Sequence, residues 1–262
     1  MPPVWIDTHA HLDDPAFQQD LELVLARASA AGVSRVITIA TTLATSRRAV
    51  ELAQEHEMLA ASVGIQPNHV AEAAAADWDQ VLSLVAQAKV VAVGETGLDR
   101  HWDFTPFAQQ EDYFQRHLEL AQRSGLPVVI HCREAEADTV RMLRDHADRC
   151  GSLRGVMHSF TGDWPTAEAC LALGLHISFA GMLTYKNADA LREVAARTPR
   201  ERLLVETDSP YLVPVPLRGK SKRNEPAHVA LTGACLAQLH GLSAEQMAEI
   251  TTANARRLFA LQ

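Results

Sequence analysis

With 262 residues, 47% of them hydrophobic, and a formal net charge of −8, the chain can bury a sizeable core but lacks the basic surplus of proteins that grip duplex DNA through many phosphates. An acidic balance still allows an enzyme that holds a few nucleotides at a metal site, because bound divalent ions add local positive charge. No run of about 18 apolar residues reads as a membrane span.

The N-terminal Met-Pro-Pro-Val-Trp-Ile-Asp has neither a basic n-region nor an apolar h-region, so no signal peptide is expected. Cys132, Cys150, Cys170 and Cys235 are scattered without a Cys-x-x-Cys pair and read as reduced thiols of a cytoplasmic protein. In chain order, short apolar runs of the kind that fill a doubly covered parallel sheet predict eight strands. They lie near Trp5 to His9, Arg35 to Ala40, Leu59 to Ile65, Val90 to Glu95, Val128 to His131, Gly155 to His158, His176 to Ala180 and Leu203 to Thr207. Helical patterns fall between them. The clearest runs from Pro106 to Ser124, with Phe107, Phe114, Leu118 and Ala121 on one stripe, Thr105 as N-cap and Gly125 as the terminating residue. Ser243-Ala-Glu-Gln246 has the form of a capping box and opens a last helix to about Leu261.

Strands alternate with helices without a linker or a composition break, which predicts one domain over residues 1–262, an α/β (β/α)8 TIM barrel. A doubly wound open sheet competes, but it feeds its ligand from one crevice. Here the residues that bind metals end strands one, four, five, six and eight, and only a closed barrel brings those ends to a common centre.

Those residues are four histidines and two carboxylates. His9 and His11 share parity on an extended segment, so both imidazoles face one way. Glu95 ends a buried strand, where a carboxylate needs a partner: a salt bridge to Arg100 or Arg133, or two metal ions that it bridges. His131 and His158 each end an apolar run, and with Glu95 they complete a second ion's shell. Asp208 closes the last strand as ligand and proton acceptor, with Glu206, of the same parity, as its orienting neighbour. Arg133 shares parity with His131 and is left open between binding a phosphate and pairing with a carboxylate. Arg218-Gly-Lys-Ser-Lys-Arg223 follows the Asp208 loop and is expected to bind phosphate, through Lys220 and Arg223 with Asn224 beside them. His56, His117, His146 and His240 fall in helical stretches and are expected on the surface. Cys132, out of phase with His131, is expected to pack against the helices as a small hydrophobe.

With these residues in hand, the chain resembles the TatD family of metal-dependent deoxyribonucleases, within the amidohydrolase-like barrels. The resemblance covers nearly the whole chain. It rests on Ile6-Asp-Thr-His-Ala-His-Leu12, Val93-Gly-Glu-Thr-Gly-Leu-Asp99, Ile130-His-Cys-Arg133, His158-Ser-Phe-Thr-Gly162, Glu206-Thr-Asp-Ser-Pro-Tyr211, Arg218-Gly-Lys with Asn224-Glu-Pro226, and Asn254-Ala-Arg-Arg-Leu-Phe259. It implies His9, His11, Glu95, His131, His158 and Asp208 as metal ligands. It also implies DNA as substrate, single-stranded or at 3′ ends, and 3′→5′ polarity. One stretch departs: the family's Gly-x-His-Pro reads Gly64-Ile-Gln-Pro67 here, which moves the expected substrate contact of that loop to Asn68 or His69.

The expected reaction is phosphodiester hydrolysis by water activated between two divalent ions, with Asp208 taking the proton. Imidazole-rich shells suit zinc or manganese, whereas the resemblance implies magnesium. A cyclic amidase or lactonase is the alternative enzyme, disfavoured by the basic loop. A metal-binding protein without catalysis is the alternative of another class. No membrane partner is expected, and a monomer is the working expectation.

Overall fold

The computed structural model describes residues 3–261. Its strands are β1 (Trp5–Ala10), β2 (Val33–Thr38), β3 (Leu59–Val63), β4 (Val90–Asp99), β5 (Val128–Arg133), β6 (Gly155–Met157), β7 (His176–Phe179) and β8 (Leu203–Val205). Each pairs in parallel with the next, in the order β1 to β8. Closure comes from β1 meeting the residues that follow β8. Ala10 and Ser209 form a parallel bridge, Asp208 N donates to His9 O at 2.9 Å, and His11 N donates to Ser209 O at 2.8 Å. Asp7 locks the seam by accepting from the Thr207 amide at 2.9 Å and the Thr207 hydroxyl at 2.6 Å. The result is the predicted barrel, nearly closed.

Seven helices cover it between strands: α1 (Leu21–Ala30), α2 (Leu43–Glu55), α3 (Asp77–Leu84), α4 (Phe107–Ser124), α5 (Glu136–Cys150), α6 (Trp164–Ala172) and α7 (Asp189–Arg197). After β8 come α8 (Val229–Leu239) and α9 (Ala244–Phe259). Two apolar layers follow from this order. The larger lies between strands and helices and includes Val36, Val63, Val93, Phe114, Leu118, Val128 and Leu203. The smaller joins Ile6, Ile37, Ala92, Val129, Val156 and Leu204 of six strands to Ala255, Leu258 and Phe259 of α9. It fills the barrel, and α9 plugs it. Burying a side chain such as Phe259 contributes about 1.5–3 kcal/mol, so the packing of α9 adds to the stability of the inner layer.

Several local expectations change. β4 runs past Glu95 to Asp99, whereas β6 and β8 stop at Met157 and Val205, which leaves His158, Glu206 and Asp208 on loops. The N-cap of α4 is Pro106, extended at ψ 132°, not Thr105, whose hydroxyl accepts from Ala71 N at 3.2 Å instead. Gly125 ends α4 at φ 69°, and the Ser243–Gln246 capping box forms as predicted. His117 and His146 are buried rather than on the surface, since their helix face turns inward. Among the described residues no helix is long and apolar enough to cross a membrane.

Candidate metal centre

Six polar side chains, carried by β1, β4 and β5 and by the residues that follow β1, β6 and β8, meet at one end of the barrel. Register shifts occur between Asp7 and Ala10 on β1 and between Val93 and Thr96 on β4, so strict alternation is interrupted around both His9 and Glu95. Gly97 lets β4 pass β5, because a Cβ there would lie 1.9 Å from His131 O. On the β8 side Asp208 sits at φ 55°, and on the β6 side Ser159, next to His158, sits at φ 43°. Non-glycine residues hold this left-handed conformation only where surrounding contacts impose it.

Glu95 lies at the middle, its side chain 4% exposed. Its Oε2 is 3.4 Å from His9 Nε2 and 3.9 Å from His11 Nε2. Its Oε1 is 3.0 Å from His131 Nδ1 and 3.1 Å from His158 Nε2. Each oxygen therefore faces its own pair of imidazoles. Asp208 Oδ1 completes the first group, 3.4 Å from His11 Nε2 and 3.6 Å from His9 Nε2. Within each pair the ring nitrogens are 3.3 Å (His9, His11) and 3.4 Å (His131, His158) apart.

This donor set fits divalent cations. Metal–nitrogen bonds of about 2.0–2.1 Å in a tetrahedral shell set neighbouring donors about 3.3 Å apart, close to the separations found. His9, His11 and Asp208 form one group able to hold an ion, and Glu95, His131 and His158 a second. His9, His158 and Glu206 form a third, overlapping group, with the His9 and His158 rings stacked at 4.0 Å.

Electrostatics support the same reading. Burial would raise Glu95, yet the charge on His158 and hydrogen bonds from His131, His158 and His9 hold it well below the usual carboxylate range. Burial would lower His11, but its bond to Asp208 and the fields of Glu95 and Asp208 push it up to about 9. His131 and His158 are raised in the same way against burial, and only His9 is lowered, by burial and the His158 charge. Imidazoles poised like this carry protons that a divalent cation displaces on binding.

A surrounding layer fixes the rings. Asp99 Oδ2 lies 2.9 Å from His131 Nε2, and bonds from His131, Trp102 N and Asn68 hold Asp99 down at about 2 despite burial. Glu206 Oε1 accepts from Ser159 N at 2.6 Å and lies 3.5 Å from His158 Nδ1, so it steadies His158 and not Asp208. His11 Nδ1 lies 3.1 Å from Ile39 O. Such contacts set tautomer and ring direction. Asp99 escaped the sequence reading as a site residue, although it shares parity with Glu95 and Gly97 along one strand.

The structure thus brings His9, His11, Glu95, His131, His158 and Asp208 together. The substrate candidates fare differently. Arg133 is exposed, its guanidinium 5.7 Å from the Trp102 ring. Arg100 pairs with Asp138 at 2.8 Å and not with Glu95. Lys220 and Lys222 are exposed. Arg223 is corrected as a phosphate ligand: its guanidinium is already spent on Asp20 at 2.6 Å and Glu225 at 3.0 Å, over the Phe17 ring. Asn224 is corrected too, being fully buried and bonded through Nδ2 to Thr207 O at 2.9 Å, where it straps the loop after β8. His69 turns to Glu72 at 3.4 Å, and Asn68 donates to Asp99 Oδ2 at 3.0 Å. Gln66 caps its own turn through Asn68 N at 2.8 Å, away from the cluster's ligands. Cys132 is half-buried against the core, accepting from the Thr139 hydroxyl. A cleft of about 460 Å³ opens beside the β7–α7 loop, lined by Tyr185, Lys186, Asn187 and Arg218 among others.

Residues 6–260 match the family model of TatD-related DNases. The metal-dependent hydrolase YabD of Bacillus subtilis is 40% identical over 97% of this chain and 98% of its own length. The 3′-5′ ssDNA/RNA exonuclease TatD of Citrobacter koseri is 35% identical over 97% and 98%. The crystal structure of YjjV, a TatD homologue from Escherichia coli, superposes with a TM-score of 0.93 at 34% identity over 100% of both chains. Given the span of that match and the identity of those relatives, the chain belongs to the TatD-related DNase family of metal-dependent hydrolases.

Proposed function

We propose that the chain, working as one barrel unit, is a two-metal phosphodiesterase that removes nucleotides from the 3′ end of single-stranded DNA. The observation that carries this reading is Glu95, a buried carboxylate whose two oxygens face two separate pairs of imidazoles. His9, His11 and Asp208 would hold one ion, His131 and His158 the other, with Glu95 shared. Magnesium, manganese or zinc bound there supplies Lewis acidity toward a phosphoryl oxygen and lowers the pKa of water. Asp208 is the more accessible of the two carboxylates, its side chain 15% exposed against 4% for Glu95, and it takes the proton from the attacking water. Asp99 and Glu206 hold His131 and His158 in line while charge builds. Arg133 and Lys220, both exposed, would meet neighbouring phosphates. The substrate class is that named for the Citrobacter koseri relative, and DNA is preferred here on the family's description.

A 5′-labelled single-stranded oligonucleotide, incubated with each ion in turn, tests this. The expected product is a ladder shortened from the 3′ end and abolished by chelator. The Glu95→Ala variant should lose both ions and all turnover. Internal cuts alone, or two ions retained in Glu95→Ala by plasma emission, would overturn the reading.

A further inference from the structure

Directly after Asp99 the chain exposes two large rings. Trp102 is 43% and Phe104 61% exposed, and they stack on each other with centroids 5.3 Å apart and planes 9° from parallel. Rings held flat in water at this cost call for a partner. The loop that carries them is fastened where it leaves β4. Arg100 pairs with Asp138 at 2.8 Å, and His101 Nδ1 lies 2.8 Å from Glu134 Oε1. The decisive tie is Asp99. Its Oδ1 accepts from the amides of His101 at 2.9 Å and Trp102 at 3.0 Å, while its Oδ2 holds His131 Nε2 at 2.9 Å. One carboxylate therefore sets both the orientation of a proposed metal ligand and the start of the aromatic loop. Arg133, from the same strand as His131, brings its guanidinium 5.7 Å from the Trp102 ring.

We propose that Trp102 and Phe104, with Arg133 beside them, form a base-stacking platform for the nucleotides of a single strand next to the scissile phosphate. This rests on the nucleic-acid reading above and deepens it. Stacked rings with an adjoining cation match what a strand offers, flat bases joined by phosphates, and they tolerate any base because every base has a π-face. A rigid anchor matters because ordering the loop in advance removes an entropic cost from binding. The cation argues against a purely apolar protein partner on the same rings.

The test compares kcat/KM for a fully based oligonucleotide and for one with abasic residues at its 3′-terminal positions, in wild type and in Trp102→Ala, Phe104→Ala and Trp102→Phe. The expected result is a wild-type preference for the based strand that falls about 5- to 150-fold in Trp102→Ala, chiefly through KM. Phe104→Ala should fall in the same direction, and Trp102→Phe should recover most of the preference, with metal content unchanged in all three. An unchanged preference in both alanine variants, on an oligonucleotide that is cleaved, overturns the platform and leaves the exonuclease reading standing. Metal loss in Trp102→Ala and Phe104→Ala would make the loop a support of the metal cluster and overturn it as well. Hydrolysis of bis(p-nitrophenyl) phosphate without cleavage of either oligonucleotide would instead overturn the nucleic-acid reading beneath it.

Discussion

His11, its side chain 13% exposed, and His117, fully buried, both lose solvation to the fold, yet they stand at opposite ends of the imidazole range. His11 is pushed up to about 9, against its own burial, by Asp208 and Glu95. His117, in α4, is pushed down to about 4 by burial, with Arg116 adding to the effect. Its Nε2 accepts from Ile65 N at 3.0 Å, its Nδ1 lies 2.6 Å from Tyr113 O, and the Trp78 ring is 4.7 Å away. Only the Tyr113 carbonyl favours a charge there, and burial outweighs it; no carboxylate stands beside the ring as Asp208 and Glu95 stand beside His11. Burial therefore says little about a histidine's role. The carboxylates gathered around it, or their absence, separate an imidazole in a cluster that could hold a metal ion from one that serves as a hydrogen-bonded wedge between strand and helix.

Three changes would break or sharpen that contrast. Asp208→Asn removes the anion from the His9–His11 group while keeping its shape. Turnover of an oligonucleotide should drop by about 10²–10⁴, the usual range for loss of a proton acceptor, with the fold intact by circular dichroism. Activity within a few-fold of wild type would remove Asp208 from that role. Asp99→Asn acts one step further out, on the carboxylate behind His131. Metal affinity measured by chelator competition should weaken by about 10- to 100-fold, the range found for partners of metal-bound histidines. Wild-type affinity would mean that the His131 ring is held by packing alone.

The third change falls on the other histidine and should spare catalysis. A folded-state pKa of about 4 against an ordinary 6.5 favours the neutral form in the native protein. The stability this contributes is complete above the unfolded value and is lost as pH falls toward the folded one, because the unfolded chain takes up the proton first. Between about pH 6.5 and about pH 5 the loss is about 1.5 kcal/mol. In His117→Gln, whose amide oxygen can still accept from Ile65 N, the difference in unfolding free energy between the two pH values, read from urea titrations, should narrow by that amount. An unchanged gap would show that His117 titrates normally.

The strands were legible because a sheet covered on both faces writes itself as short apolar runs, and the six gathered side chains because each follows such a run. What escaped depends on contacts remote in sequence. Arg223 reads as a free cation until Asp20, far back in the chain, is seen beside it, and Asn224 reads as a loop residue until Thr207 O claims its amide. His117 lies on the same stripe of α4 as Phe114, Leu118 and Ala121, so its burial follows from a pattern already visible, whereas His146 shares its buried face with Val140, Met142 and Leu143 of the more polar α5. Asp99 was within reach of parity alone, but β4 had to be known to continue past Glu95.

The seam between the first strand and the residues after the last has a consequence in time. Asp208 is the last of the six clustered residues to be synthesised, and its amide joins the carbonyl of His9 only when the eighth strand has docked. A growing chain on the ribosome therefore carries His9 and His11 from the start, without the carboxylate that completes their group. If the proposed hydrolytic centre is built across this seam, it would be incomplete until the eighth strand docks, and closing the barrel would be the step that arms it.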